Sequence, residues 1–579
     1  MANNVAESRR TQLVSTYGVG ALFPARDESF MILGLDDWKE DLCKEIPEPR
    51  LARSLGVQTF KLPPSGSYKS RDVPVIRFPE MHYCPSCRRL DFHNTFCSWD
   101  ANVCEDCSRQ LTPSRFVVSC VNGHIDEFPY SRWLHQGDFD VSKKHRLSLR
   151  TRGESSSLSD IVISCSCGVK SRTMAGSFGR KALLGLTKCT GRRPWLNGSE
   201  SETCSEVPRT MQRGSSSVWF PAVRSAISIP PWSDKVHKLI GKYWPILERI
   251  PVEDLRPALV GLAQPTPPGP GMDDLVAAVL QRKGLLGDEK ITEQDLRDDE
   301  FKALYDGFPE SSSHQQFVSL PVTDVPEDAR GVFERVCQVS RLREVRALHG
   351  FSRVAPSDGE GSGAVSAVAP LALHRTNWLP AVEVHGEGVF MNFDEDEIAQ
   401  WAESDFVVER VGVLQNALNL KAAETGTPAV EASAKRVLLH TLAHVLIQEL
   451  ALDAGYPAAS LRERLYTNDD QAGILIYTAS ADSAGSLGGL SAQADGERLW
   501  NVVRSGIARA SWCSTDPVCI ESTESGKDAL NLAACHACLL VPETSCELAN
   551  TYLDRALLVG TPESGYEGGF FSGRDGGGG

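Results

Sequence analysis

The 579-residue sequence contains no run of about 18 consecutive apolar residues, the length that a membrane-spanning helix requires. Its first ten residues also lack the short apolar core of a secretory signal. These two absences predict a soluble, cytoplasmic protein that has no membrane partner. The composition, with 41% hydrophobic residues and a net charge of −15, excludes a chain that is disordered or fibrous throughout.

The common catalytic signatures are missing as well. The sequence has no Gly-x4-Gly-Lys-Ser/Thr phosphate loop, no Gly-x-Gly-x-x-Gly fingerprint after a strand and no Gly-x-Ser-x-Gly elbow. His440 and His444 have the spacing of a zinc protease helix, but Thr441 stands where such an enzyme needs a general-base Glu. We therefore expect hydrogen-bonded structural histidines, with a partner or nucleic-acid contact or a metal as alternatives, and we predict no catalytic residue.

Cysteine is abundant, with 17 residues that fall into a few close groups. Because thiols stay reduced inside cells, such groups favour zinc over disulfides. The clearest pattern is Cys-x2-Cys, a gap of sixteen residues and a second Cys-x2-Cys, formed by Cys84, Cys87, Cys104 and Cys107. Two thiolate knuckles at this spacing close a tetrahedral zinc site and leave no position for a catalytic water. Reduced core cysteines are the alternative.

Two further sets of four cysteines have looser spacing. We predict a second structural zinc site at Cys165, Cys167, Cys189 and Cys204, with one thiol pair and two unrelated thiols as the alternative. We predict a third site at Cys519, Cys535, Cys538 and Cys546, where Cys513 competes with Cys519 for the first position. The sequence thus predicts about three structural Zn²⁺ ions per chain.

Three potential ligands are left over in the N-terminal half. Cys97, Cys120 and His124 could each replace a ligand in either of the first two sites. The phrase Cys120-Val-Asn-Gly-His124 is typical of a turn that Gly123 permits, so a structural imidazole is the simpler interpretation.

Basic residues are concentrated between 141 and 195, where twelve Lys and Arg face only Glu154 and Asp160. Clustered cations on a zinc-stabilised frame are typical of nucleic-acid binding, and Trp195 and Trp219 nearby could stack on bases. A solvated face or a patch that pairs with an acidic partner is the alternative. The candidate DNA-binding residues are Lys143, Lys144, Arg146, Arg150, Arg192 and Arg193.

The organisation along the chain predicts a multidomain α+β protein with N-terminal zinc modules, a helical middle and a C-terminal α/β domain. The predicted boundaries are an N-terminal segment at 1–75, a double zinc-module region at 76–232, a helical region at 233–356, a linker at 357–370, a zinc-binding domain at 371–562 and a disordered tail at 563–579.

Several phrases together resemble the DrmB family of the bacterial DISARM anti-phage system, and the last 200 or so residues resemble the zinc-binding domain of the MrfA family. The resemblance rests on Arg10 to Gly20, Cys120 to Pro129, Arg213 to Trp232, Gly386-Glu387-Gly388, the His440/His444 helix, and Ala534 to Arg555.

The resemblance implies a function in antiviral defence. In the MrfA family the domain binds zinc through its C-terminal cysteines and lies behind a superfamily 2 helicase, whereas this sequence has no helicase motifs. The implied role is a non-catalytic subunit that binds a separate DrmA-like helicase and DNA. A zinc-dependent hydrolase that uses His440 and His444, and a protein scaffold that does not touch DNA, are the alternatives.

Overall fold

A computed structural model describes residues 6–573, except 66–72, 138–144, 154–156, 231–233, 264–271, 284–290, 310–315, 357–366, 426–427, 469, 480–487 and 527–528. The described chain is a mixed α+β protein, as the sequence predicts, with twelve α-helices and twenty strands.

The helices are α1 (Gln12–Ser15), α2 (Pro49–Leu55), α3 (Tyr130–His135), α4 (Asp234–Leu247), α5 (Leu255–Ala263), α6 (Met272–Arg282), α7 (Glu293–Asp306), α8 (Glu395–Ala402), α9 (Asp405–Thr425), α10 (Ala434–Ala454), α11 (Gly496–Ala510) and α12 (Ala556–Val559).

The strands are β1 (Leu22–Ala25), β2 (Glu28–Ile32), β3 (Lys44–Ile46), β4 (Thr59–Leu62), β5 (Val75–Arg77), β6 (Met81–Tyr83), β7 (Arg89–Phe92), β8 (Thr112–Pro113), β9 (Phe116–Ser119), β10 (Ile125–Glu127), β11 (Leu147–Thr151), β12 (Ile161–Cys165), β13 (Arg172–Thr173), β14 (Arg209–Gln212), β15 (Phe220–Ile227), β16 (Val318–Pro321), β17 (Phe333–Ser352), β18 (Trp378–Phe393), β19 (Leu461–Tyr466) and β20 (Gly473–Thr478).

The largest sheet joins the two halves of the chain. Its strand order is β15-β17-β18-β20-β19, with β16 beside β17 and with β4 and β3 continuing from β18. The two longest strands, β17 and β18, pair antiparallel along most of their length. N-terminal strands β15 and β4 therefore add to a sheet that C-terminal strands complete.

Helices cover both faces of this sheet. Val389 and Met391 of β18 face the core that α10 and α11 fill, whereas Phe390 between them packs with Phe301 of α7 on the opposite face. This is the period-two alternation expected of a strand with both faces buried. The same alternation on β19 directs Glu463 toward α10 and Arg464 toward α7.

Two glycines singled out by the sequence allow β18 to approach β20. A Cβ atom at Gly386 would lie 1.8 Å from the Thr478 carbonyl oxygen, and one at Gly388 would lie 2.5 Å from that of Ile476. Between them, buried Glu387 accepts hydrogen bonds from the Ser491 hydroxyl (2.6 Å) and the Leu490 N–H (3.1 Å). The Gly-Glu-Gly phrase is thus explained by packing.

The N-terminal region contains two smaller sheets and one of six strands, ordered β13-β12-β11-β7-β6-β8. It has an apolar core of its own, in which Phe116, Phe128 and Trp133 take part. The apolar residues of this core are dispersed over many short strands along the sequence and gather only on folding.

The predicted helical region at 233–356 is correct only as far as Asp306, where α7 ends. Strands β16 and β17 occupy most of the remainder. The Arg- and Leu-rich stretch of β17 has fair helix propensity, but pairing with β15, β16 and β18 outweighs that preference.

The structure corrects the predicted disordered tail, whereas most of the predicted linker lies outside the described residues. Residues 563–573 of the tail are ordered, and Phe570 packs on Trp401 with ring centroids 5.6 Å apart. Residues 574–579, and 357–366 of the linker, lie outside the described ranges.

Helix α10 is long and apolar enough, by length and composition, to cross a membrane. In this fold 72% of its most apolar window is buried inside the protein, so α10 is a core helix that satisfies the same criteria.

Candidate metal centres

Five groups of Cys, His and Glu side chains in the described ranges each place four potential ligand atoms within 4.8 Å of one another. The sequence predicts three sites. Together the groups use twenty side chains, and they are numbered here by chain position.

The first cluster contains Cys84, Cys87, Cys104 and Cys107, the set that the sequence predicts. Its two halves have matching backbone geometry. The N–H of Cys84 donates to the Arg89 carbonyl (3.0 Å), and the N–H of Cys104 donates to the Arg109 carbonyl (2.8 Å). Each turn closes through a residue with positive φ, Arg88 at 66° and Ser108 at 51°. Two such knuckles facing one another match a closed zinc site.

The second cluster contains Cys120, His124, Cys189 and Cys204. Strands β9 and β10 hold the first two residues in a hairpin, where His124 Nδ1 lies 3.4 Å from Cys120 Sγ and 3.6 Å from Cys189 Sγ. The far nitrogen, Nε2, contacts the Glu202 carboxylate at 3.1 Å. A carboxylate behind an imidazole is the usual support for a metal-binding histidine, since it fixes the tautomer and the orientation of the ring. Contact with the Cys189 thiol lowers the pKa of Cys120 to about 4, which favours the thiolate that binds metal.

The third cluster contains His135, His145, Cys165 and Cys167. His135 Nε2 lies 3.3 Å from Cys167 Sγ, and His145 Nδ1 lies 3.2 Å from Cys165 Sγ. The other nitrogen of His135 donates to the Ser131 carbonyl within α3 (2.7 Å), so Nε2 is free of a proton and faces the thiols.

The predicted grouping of Cys165 and Cys167 with Cys189 and Cys204 does not occur in the structure. The first pair lies in the six-stranded sheet with two histidines, whereas the second pair joins the hairpin of β9 and β10. Sequence proximity suggests one site, but the chain between 167 and 189 carries the two pairs to different sheets. The weak signal that sequence reasoning missed was His135 and His145, ten residues apart in a cysteine-rich segment.

The fourth cluster contains Cys513, Cys519, Cys535 and Cys538. Cys513 Sγ lies 3.5 Å from Cys535 Sγ, and Cys519 Sγ lies 3.7 Å from Cys538 Sγ. Both competitors for the first position therefore belong to the same set. The predicted fourth member, Cys546, does not, because the chain after Cys538 turns back toward α10.

The fifth cluster contains His440, His444, Glu463 and Cys546. The two histidines of α10 face Glu463 of β19, and His440 Nε2 lies 3.2 Å from Cys546 Sγ. Burial lowers the pKa of His440, which keeps its imidazole neutral. The prediction that these histidines are hydrogen-bonded core residues missed Glu463 and Cys546, which the fold brings to them.

The candidate DNA-binding residues are dispersed. Arg146, which directly precedes β11, and Arg150 within it are exposed, whereas Leu147 and Leu149 between them face the core. Arg192 pairs with Asp126 (2.8 Å).

The other basic candidates are either paired with a carboxylate or outside the described residues. Arg193 pairs with Glu202 (2.5 Å), the carboxylate that also contacts His124. Lys143 and Lys144 lie outside the described residues. Trp195 and Trp219 are buried in the N-terminal core and donate to the carbonyls of Pro370 and Val19, so the expectation that they stack on bases is wrong.

The chain is 33% identical to the DISARM protein DrmB of Bacillus paralicheniformis over 564 residues, which cover 93% of this chain and 98% of that protein. The chain belongs to the DrmB family of DISARM proteins. Residues 9–220 match a domain of unknown function, DUF8724, and residues 442–539 match the MrfA Zn-binding domain.

The two family matches of this DrmB-family chain contain different clusters. The first three clusters lie inside residues 9–220, and the fourth lies inside the MrfA Zn-binding match. The fifth crosses the limits of that match, since His440 precedes it and Cys546 follows it. Together, the zinc-binding match and the Cys and His clusters support zinc as the metal of this protein.

Proposed function

We propose that this chain is a non-catalytic, cytoplasmic subunit that binds a separate DrmA-like superfamily 2 helicase and contacts DNA during anti-phage defence. The family membership of nearly the whole chain supports the defence role. The lack of a phosphate-loop motif in the sequence favours a motor on another chain.

The clusters support a structural role for the metal. In each of the first four, four side chains supply the four ligands that tetrahedral zinc takes, and no coordination position is left for water. Such sites contribute to folding free energy and do not activate a nucleophile. At these four clusters the geometry therefore favours a structural metal over a catalytic one.

The DNA contact that we propose runs along β11. Arg146 directly precedes this strand and Arg150 lies within it, both exposed, and neighbouring strands on both sides hold the strand in place. Exposed guanidinium groups on a rigid sheet bind phosphates without sequence preference. Arg192 and Arg193 contribute less, because each is already paired with a carboxylate.

The experiment measures DNA binding by this chain, by a DrmA-like helicase subunit and by the two together, over a range of salt concentrations. The double variant Arg146→Gln/Arg150→Gln should weaken DNA binding by the complex and reduce the slope of log K against log salt by about 2. The control is Arg330→Gln/Arg498→Gln, which removes two exposed charges elsewhere.

Two results would overturn parts of this proposal. If the chain does not co-purify with the helicase, the partner is wrong. If the complex forms and binds DNA, but the β11 variant has the salt slope of the control, β11 is not in the DNA path. A complete lack of crosslinks between this chain and DNA would favour the protein scaffold.

A further inference from the structure

The fifth cluster brings together three separate parts of the C-terminal half. Its histidines come from α10, its carboxylate from β19 and its thiol from the segment that follows the fourth cluster. His440 Nε2 lies 3.1 Å from Glu463 Oε1 and 3.2 Å from Cys546 Sγ. His440, His444 and Glu463 are almost fully buried. Four polar side chains concentrated in an apolar core require a strong compensating interaction.

Protein hydrogen bonds do not satisfy this group. His444 Nδ1 donates to the Leu539 carbonyl at 2.9 Å, which leaves Nε2 as a bare acceptor. That nitrogen lies 3.7 Å from Glu463 Oε2, too far for a hydrogen bond, and within the described ranges neither atom has a hydrogen-bond partner. Two buried acceptors that face each other repel, whereas a cation between them satisfies both.

The ligand types and their charges fit zinc. Two imidazole nitrogens, one carboxylate oxygen and one thiolate are all ligands that Zn²⁺ accepts. One carboxylate and one thiolate balance the two positive charges, so the occupied site is neutral, as a buried site should be. Cys546 Sγ also accepts the N–H groups of Leu548 (3.3 Å) and Asn550 (3.2 Å), which stabilise a thiolate.

We propose that His440, His444, Glu463 and Cys546 bind an additional zinc ion, enclosed in the core between α10, β19 and the C-terminal segment. This site is separate from the four-thiolate site of the fourth cluster and independent of the helicase and DNA proposals. All four ligands come from the protein and the surroundings are closed, so the ion is structural.

The site also connects α10 to the fourth cluster. The carbonyl that accepts from His444 belongs to Leu539, which directly follows the Cys538 ligand candidate. An ion in the fifth cluster therefore fixes α10 against the knuckle of the neighbouring zinc site.

Anomalous scattering at the zinc edge, from crystals of the full chain, tests the proposal without any mutation. We expect a peak about 2.0 to 2.3 Å from all four ligand atoms. Peaks at other clusters together with none here would overturn the proposal.

Metal analysis of variants gives a second test. Glu463→Gln and Cys546→Ser should each lower the zinc content by one ion per chain. The controls are Glu449→Gln and Cys337→Ser, which change buried residues outside the cluster and should keep the full content. A folded Glu463→Gln protein that holds as much zinc as the wild type would show that the four side chains are only a hydrogen-bonded network. If that variant does not fold, the anomalous peak alone decides.

Discussion

At the scale of single residues, one buried cation joins distant parts of the chain. The guanidinium of Arg353, which is fully buried after β17, donates to the carbonyls of Gly123 (3.0 Å), Val218 (2.5 Å) and Gly20 (2.8 Å). These carbonyls belong to the second cluster's hairpin, to the turn before β15 and to the N-terminal segment. One side chain thus satisfies three backbone acceptors that the core would otherwise leave unpaired.

Arg353→Met should destabilise the protein by about 3 kcal/mol or more, because it fills similar volume but leaves three buried carbonyls without donors. The free energy of unfolding from urea denaturation measures the effect. Arg330→Met, at an exposed position, should change it by less than about 0.5 kcal/mol. Equal effects of the two changes would contradict this account.

His349 on β17 makes stability depend on pH. Burial lowers its pKa to about 4, so the folded protein resists protonating this ring while the unfolded chain accepts a proton near pH 6.5. Between these values the unfolded state binds more protons, and stability falls as the pH falls.

His349→Gln should therefore lose less stability than the wild type between pH 7 and pH 5, as measured by urea midpoints at both values. His374→Gln replaces an exposed histidine and should keep the wild-type pH dependence. An unchanged pH dependence in His349→Gln would argue against a neutral ring at this partly buried position.

At the scale of elements, helix α7 is held on the sheet by a buried ion pair. Thr292 and Asp295 form a capping box at its first turn. One turn later, buried Glu300 receives two hydrogen bonds from Arg464 of β19, at 2.7 and 2.8 Å. The sequence predicts a helical region here, whereas the attachment of α7 depends on an arginine 164 residues away.

Glu300→Ala should destabilise the protein by about 3 kcal/mol, because the buried Arg464 guanidinium loses both hydrogen bonds to Glu300 and its nearest remaining carboxylate, that of Glu344, is 3.6 Å away. Thermal unfolding of the full chain gives the readout. Asp306→Ala changes an exposed acid on the same helix and provides the control, for which we expect little change. A small effect of Glu300→Ala would mean that water replaces the carboxylate.

At the scale of the whole molecule, the structure assigns the N-terminal cysteines to separate clusters, and the number of zinc ions bound per chain tests this assignment. Cys165 and Cys189 belong to different clusters in the structure but to one site in the sequence prediction. Cys165→Ser and Cys189→Ser should each remove one zinc ion, and the double variant should remove two. If all four cysteines belonged to one site, as the sequence predicts, the double variant would lose only one ion. Metal analysis of the three proteins therefore distinguishes the two arrangements.

The sequence by itself determined the features that depend on local spacing. It predicted the α+β class, the first cysteine set, the helix that became α10 and the family. A Cys-x2-Cys knuckle closes within a few residues, and two histidines four residues apart lie one turn apart on a helix, so neither requires the rest of the fold.

Only the tertiary structure decided how the remaining ligands combine. Glu463 is one of 75 acidic residues and carries no sequence signal, yet the pairing of β19 beside β20 places it opposite two histidines. Cys546 follows the fourth cluster in sequence but faces the fifth. Ligands far apart in the chain meet through the packing of helices on sheets, and that packing depends on the whole fold.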